Sequence, residues 1–213
     1  MDWLVTNKDL VSVVSDAIVA FGVLFVAMQV YFASKQIKTE HEKDRRLVAI
    51  QVVKDWNCSL NVATPAARGF VQELSVDQCK LLIKRESFNV HVDYGKFLKY
   101  ALSGINGDES ELVIDKGQIQ LTPAQISHLL ALVIEHLNSL EVALLSWMNG
   151  VADKEIIESQ FKYLVSVNNG HYVLENLRMA MAGRGNYPAI CCFVKHLQKQ
   201  SESNEPLPKS NVA

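Results

Sequence analysis

Little in this chain announces a chemistry. Its four cysteines, Cys58, Cys79, Cys191 and Cys192, stand among 213 residues without a CxxC spacing. That excludes a zinc ribbon and a disulfide framework, and the thiols read as reduced and cytosolic. Ten glycines and five prolines include no Gly-rich phosphate loop, and no Ser-His-Asp order or carboxylate cluster suits hydrolysis. The formal net charge is only −2. No block of like charge marks a general nucleic-acid binder, and no internal repeat is evident. These absences speak against an ordinary enzyme and imply no cofactor and no metal.

What the chain does have is one long apolar run, "DAIVAFGVLFVAMQVYFASKQIK". From Ala17 to Ser34 there are 18 residues without a formal charge. With Leu10 to Ser15 added, the helix is long enough to cross a hydrocarbon core of roughly 30 Å. The preceding "MDWLVTNKD" mixes Asp2 and Asp9 with a single Lys8, which is not the basic start of a cleavable signal peptide. Lys35, Lys38, Lys43, Arg45 and Arg46 all follow the run. The positive-inside rule therefore places the N-terminus outside and everything after Ser34 in the cytoplasm. The expected layout is an extracytoplasmic segment over 1–9, a transmembrane helix over 10–34, a stalk helix over 35–58, a helical domain over 59–200 and a disordered tail over 201–213.

Ser15, Gly22 and Gln29 are spaced by seven, with Ala33 one turn further on. On an α-helix they form one narrow stripe that drifts only about 20° per heptad. Small residues let transmembrane backbones approach, and an amide hydrogen-bonds across helices, so the stripe points to a homo-oligomer. In a ring of copies the same stripe would line a water-filled path.

Helical signals dominate the rest. "KTEHEKDRRLVAIQVVKDW" continues the span without Gly or Pro, and Leu47, Ile50, Val53 and Trp56 supply an apolar face. Ser75 with Gln78, and Thr122 with Pro123 and Gln125, are helix-start signals; Asn149-Gly150 ends the second helix, which is the expected core element. Further helices are expected from about Asp153 to Val165, from about His171 to Ala182 before Gly183, and from Ala189 to about Lys199. Leu112, Ile114, Ile119 and Leu121 alternate about Lys116-Gly117 and predict an inserted β-hairpin. The fold class is thus mainly α, with a small hairpin in a helical bundle.

"KDRR", "AIQVVKDWN" and "LNSLEVALLSWMNGVADKEIIESQFKYLV" together resemble a bacterial family of small single-pass membrane proteins with a helical cytoplasmic domain and no assigned function. Leu137, Asn138, Glu141, Gly150, Asp153 and Ile157 are its most specific part, and the resemblance covers about half of the chain. In organisation the chain is also similar to small membrane effectors that accompany CRISPR systems, some of them HEPN-like. That similarity implies an oligomeric antiviral effector which permeabilises the membrane on a nucleotide, RNA or protein signal. The alternatives are a non-conducting anchor that recruits a cytoplasmic effector complex, and a membrane-tethered ribonuclease.

The ribonuclease alternative rests on Arg85 and His91 with five residues between them, a cation and a proton carrier. Arg184 and His196 fall outside that spacing. Lys84, Arg85, His91, Tyr94, Lys96 and Lys99 interleave cations with rings, as a nucleotide or RNA site needs, or else as two amphipathic helices do. Asn138 and Glu141, one turn apart, are expected to form a buried polar pair that fixes helix packing, with Arg178 or Arg184 as partner to the carboxylate. His128, Glu135 and His136 share a helix without metal-ligand spacing.

Overall fold

The computed structural model describes residues 8–105, 111–167, 172–181 and 187–204. Two compact units divide it, Met1–Arg46 and Leu47–Ala213. Helix α1 runs over Lys8–Ser59, 52 residues, so the expected span and stalk belong to one helix. With no Gly after Gly22 and no Pro, nothing in its sequence breaks the hydrogen-bond ladder.

In the first unit every described side chain is exposed, among them Ile18, Phe21, Phe25 and Phe32. Residues 17–34 of this part are without formal charge on any face, and the unit carries a stretch long and apolar enough to cross a membrane, with mean hydropathy 2.0. Pro123–Met148 passes the same test at 1.5, but nearly half of its stretch is buried among other helices. Hydropathy alone does not separate the two; burial does.

The second unit takes in the end of α1, where Ala49 and Trp56 are buried. Helices α2 (Thr64–Gln72) and α3 (Val76–Lys84) follow. Ser75 accepts the backbone N–H of Gln78 while Gln78 accepts that of Ser75, so the expected capping box forms. Helix α3 stops at Arg85, held in the left-handed region at φ 61°, while Glu86 N–H closes back on the Leu81 carbonyl.

Strand β1 (Phe88–His91), a 3₁₀ turn (Val92–Tyr94) and α4 (Gly95–Ala101) come next. Beyond them lie β2 (Val113–Asp115) and β3 (Gln118–Leu121). The β2–β3 hairpin turns on Lys116 and Gly117, both at positive φ, as a two-residue hairpin turn demands. The expected two-stranded hairpin is in fact a three-stranded antiparallel sheet in the order β1-β3-β2. Phe88 pairs with Leu121 and Val90 with Ile119; all four side chains are buried, which gives the sheet one core face. Ile114, although opposite Ile119, stays exposed at the sheet edge.

Central helix α5 (Pro123–Met148) is capped by the Thr122–Gln125 box and buries Ile126, Leu129, Val133, Leu137, Leu140 and Leu144 at helical spacing. Helix α6 (Lys154–Val165) starts where Asp153 accepts the Ile156 N–H. Helix α7 is shorter than the spacing suggested, Glu175–Ala180; His171, Ala182 and Gly183 lie outside the described residues. Helix α8 covers Pro188–Asn204, so Ser201–Asn204 continue a helix where a disordered tail was expected. Packing of α2 on α4, of α3 on α7, and of α2 and α8 on α5 builds one core.

Candidate functional site

Three concavities in the second unit collect polar side chains, and they treat the expected site residues differently. The first, about 530 Å³, brings together His91, Tyr94 and Lys96 with Glu73, Asp93 and Phe97. His91 Nδ1 lies 2.8 Å from Asp93 Oδ2, both of them exposed, and Tyr94 packs edge-on against Phe70 at 5.7 Å. Two carboxylates therefore sit among the cations proposed for a phosphate. Lys84, Arg85 and Lys99 do not line this concavity; Lys84 and Lys99 are exposed in the last turns of α3 and α4. The chain from Lys80 to Tyr100 is also not simply a pair of helices, because β1 and the 3₁₀ turn lie between Arg85 and α4.

Arg85 is set by backbone geometry. It occupies the αL position that ends α3, while His91 closes β1 and caps the 3₁₀ turn through Nδ1 and Asp93 N–H. Each residue thus has a local structural task.

A second cavity, about 360 Å³, lies among α2, α4 and the end of α6 and is lined by Arg68, Gly69, Gln72, Glu73, Phe97 and Tyr163, with Ser166 and Val173. Thr64, Arg68 and Gln72 follow one another at i+4 along α2, so the helix aims them to one side. Gln72 fixes the cavity wall: its Nε2 donates to the Tyr172 carbonyl at 3.1 Å and its Oε1 accepts the Leu174 N–H at 2.6 Å. Gly69 is required for close approach, since a Cβ there would stand 2.9 Å from Phe97 Cε1. The Phe97 ring therefore lies against the α2 backbone.

Arg68 is half-buried and makes no hydrogen bond or ion pair among the described residues. Burial holds its guanidinium below the usual arginine value, with Tyr163 offsetting part of the effect. Its charge reaches His136 on α5, whose pKa burial and Arg68 together push down to about 4. His136 is 4% exposed, and both its ring nitrogens lack a hydrogen-bond partner among the described residues. It packs at 5.1 Å against Trp56, which packs in turn on Phe161. Arg68 does not stand out in the letters, and His136 does so only as one of three titratable residues without metal-ligand spacing; the signal at Arg68 is its i+4 position from Thr64, which the helix buries.

The third cavity, about 330 Å³ and mostly apolar, is bounded by Val52 and Trp56 of α1 and by Asn138, Val142 and Ala143 of α5. Asn138 is exposed and Glu141 half-buried, so the expected joint burial does not occur. Asn138 Oδ1 accepts the Tyr187 hydroxyl at 3.3 Å, and Glu141 accepts the N–H groups of Ala189 and Ile190 at 2.8 and 3.0 Å. The carboxylate thus serves the N-terminus of α8. Arg178 is not its partner, because it donates to the Val173 carbonyl and to Cys191 Sγ; Arg184 lies outside the described residues.

His196 sits at 3.1 Å from Glu158, which also accepts the Trp147 indole N–H at 2.9 Å, tying α5, α6 and α8 together. Cys79 is buried and its thiol pushed up to about 12, whereas Cys58, Cys191 and Cys192 are exposed. Among the described residues no group of three His, Cys, Asp or Glu side chains could hold a metal ion. Ser15, Gly22, Gln29 and Ala33 are all exposed on α1, with nothing within 4 Å of a Cβ placed at Gly22. No protein-family model, no curated protein and no solved structure matches this chain.

Proposed function

We propose that this chain is a single-pass effector of the bacterial inner membrane, with its N-terminus outside and its helical domain in the cytoplasm. Copies associate through Ser15, Gly22, Gln29 and Ala33. The domain is a non-catalytic receiver of a cytoplasmic signal, and the spans answer by permeabilising the membrane. The similarity to CRISPR-associated membrane effectors makes antiviral defence the setting to test first.

The observation that carries this reading is the first part of α1, apolar on every face and wholly exposed over its described side chains. In water such a surface has no stable place, whereas a helix in hydrocarbon satisfies its backbone internally and its side chains by lipid. Five cations after the apolar run and one before it set the direction. Gln29, exposed in the middle of the run, is the group that gains most from a second copy, because lipid offers its amide no hydrogen bond.

A second reading, a non-conducting anchor that recruits a cytoplasmic partner, is favoured by the apolar cavity beside Trp56 and Val142. The ribonuclease reading has less behind it, since Arg85 and His91 do not line one concavity and His91 lies against Asp93.

Mass of the purified, detergent-solubilised particle is the deciding measurement. A defined multiple of the chain, and loss of membrane depolarisation in Gly22→Leu and Gln29→Leu variants that still insert, is the expected result. A monomer, or unchanged depolarisation in those variants, removes the pore and leaves the anchor.

A further inference from the structure

The 360 Å³ cavity at Arg68 carries a prediction about the signal. Its size matches a small organic molecule, since ligand cavities start at about 300 Å³. One wall offers a half-buried guanidinium with no carboxylate paired to it among the described residues; a second offers the partly exposed Phe97 ring, packed against Gly69. Tyr163 and Ser166 add hydroxyls at the end of α6.

A desolvated arginine fork without an acid is costly to keep unless something anionic completes it, and the fork suits phosphate or carboxylate oxygens two at a time. An aromatic face beside a cation is what a flat ring joined to an anionic group needs. Glu73 lines the same cavity and disfavours a second anionic group beside the one on Arg68. Asp93 stands in the neighbouring concavity, which shares Glu73 and Phe97. Two carboxylates along this surface disfavour the continuous backbone of a nucleic acid strand.

We propose that the Arg68–Phe97 cavity is a binding site for a small ring-bearing anion of the nucleoside monophosphate class, its phosphate on Arg68 and its base against Phe97. The site adjoins the His91 concavity, with which it shares Glu73 and Phe97, but includes neither Arg85 nor His91. The inference deepens the receiver reading above and rests on it only for the consequence of binding; occupancy of the cavity is a separate matter.

The test is calorimetric titration of the full chain in detergent with AMP, GMP, CMP and UMP, with inorganic phosphate and with a short single-stranded RNA. At least one monophosphate is expected to bind more tightly than inorganic phosphate and than the RNA. Arg68→Gln should weaken it tenfold or more, and Phe97→Ala should weaken it several-fold while leaving phosphate affinity unchanged. Ser166→Glu places another carboxylate at the rim outside the core and should abolish binding with the fold intact, which covers the case that Arg68→Gln does not fold. Absence of heat with all four monophosphates at millimolar concentration, equal binding by wild type and Ser166→Glu, or preference for the RNA strand would each overturn the site. Particle mass with and without the bound monophosphate separates the two readings: binding without any change in assembly keeps the site and removes its role as the signal.

Discussion

Glu141, in the middle of α5, accepts the backbone N–H of Ala189 at 2.8 Å, a side chain of one helix completing the terminus of another. A helix start leaves its first N–H groups without intrahelical partners and carries a partial positive charge, so a carboxylate there is favoured twice. The second bond, to Ile190 N–H at 3.0 Å, makes the cap bidentate.

Removing the cap should therefore be expensive. Glu141→Ala is expected to cost about 2 to 3 kcal/mol and Glu141→Gln about 1 kcal/mol, because the amide keeps one acceptor. Chemical denaturation of the two variants measures this. Equal, negligible losses would mean that water replaces the carboxylate.

Acid should weaken the fold through His136. Its folded pKa is near 4 while the unfolded value is near 6.5, so between those values the unfolded chain binds the extra proton. Stability is then full above pH 6.5 and falls as the pH drops toward 4, by roughly 3 kcal/mol from this group. His136→Phe should flatten that part of the pH profile and raise stability at neutral pH, since two unpartnered ring nitrogens leave the core. Parallel profiles for the two proteins would show that the ring is not responsible.

Trp56 ties the end of α1 into the second unit, with ring contacts to His136 at 5.1 Å and Phe161 at 5.4 Å. A fragment beginning at Leu47 is expected to melt cooperatively, whereas one beginning at Leu60 lacks Ala49 and Trp56 and should not. Trp56→Ala in the longer fragment should cost about 3 to 5 kcal/mol. A cooperative melt of the shorter fragment would contradict the assignment of residues 47–59 to this core.

Arg85→Gly separates a cap from a catalyst. A left-handed arginine costs about 1 to 2 kcal/mol of local strain, which glycine relieves while giving back part of the gain through its greater unfolded entropy. The variant should be as stable as wild type or up to about 1 kcal/mol more so, with the membrane phenotype retained. Loss of the phenotype at unchanged stability would restore Arg85 as a functional group.

Local signals were legible and distant ones were not. The boxes at Ser75–Gln78 and Thr122–Gln125 read off the letters, because each is made within four residues. The turn at Lys116-Gly117 did too, for the same reason. Strand β1 did not, since "FNVH" is short and its partner β3 lies about thirty residues further on. Among the polar residues, Asn138 and Glu141 were singled out, yet their partners were misread. A backbone N–H has no letter of its own, and nothing in the composition says that α8 starts beside α5. Arg68 does not stand out in the letters and His136 reads only as a helix residue without metal-ligand spacing, because their isolation is a property of the packed core.

The Glu141 cap also sets an order in time. Ala189 is added to the growing chain 48 residues after Glu141, which at about 5 to 20 residues per second means a wait of roughly 2 to 10 s. Through that interval the flank of α5 that α8 will cover, with Leu140 and Leu144 nearby, stays open while the carboxylate remains in water. The nascent domain thus keeps a charged side chain on that flank until the last helix is made, and a chain halted before α8 would leave more of α5 open, a helix as able as the first part of α1 to meet the length and hydropathy of a span.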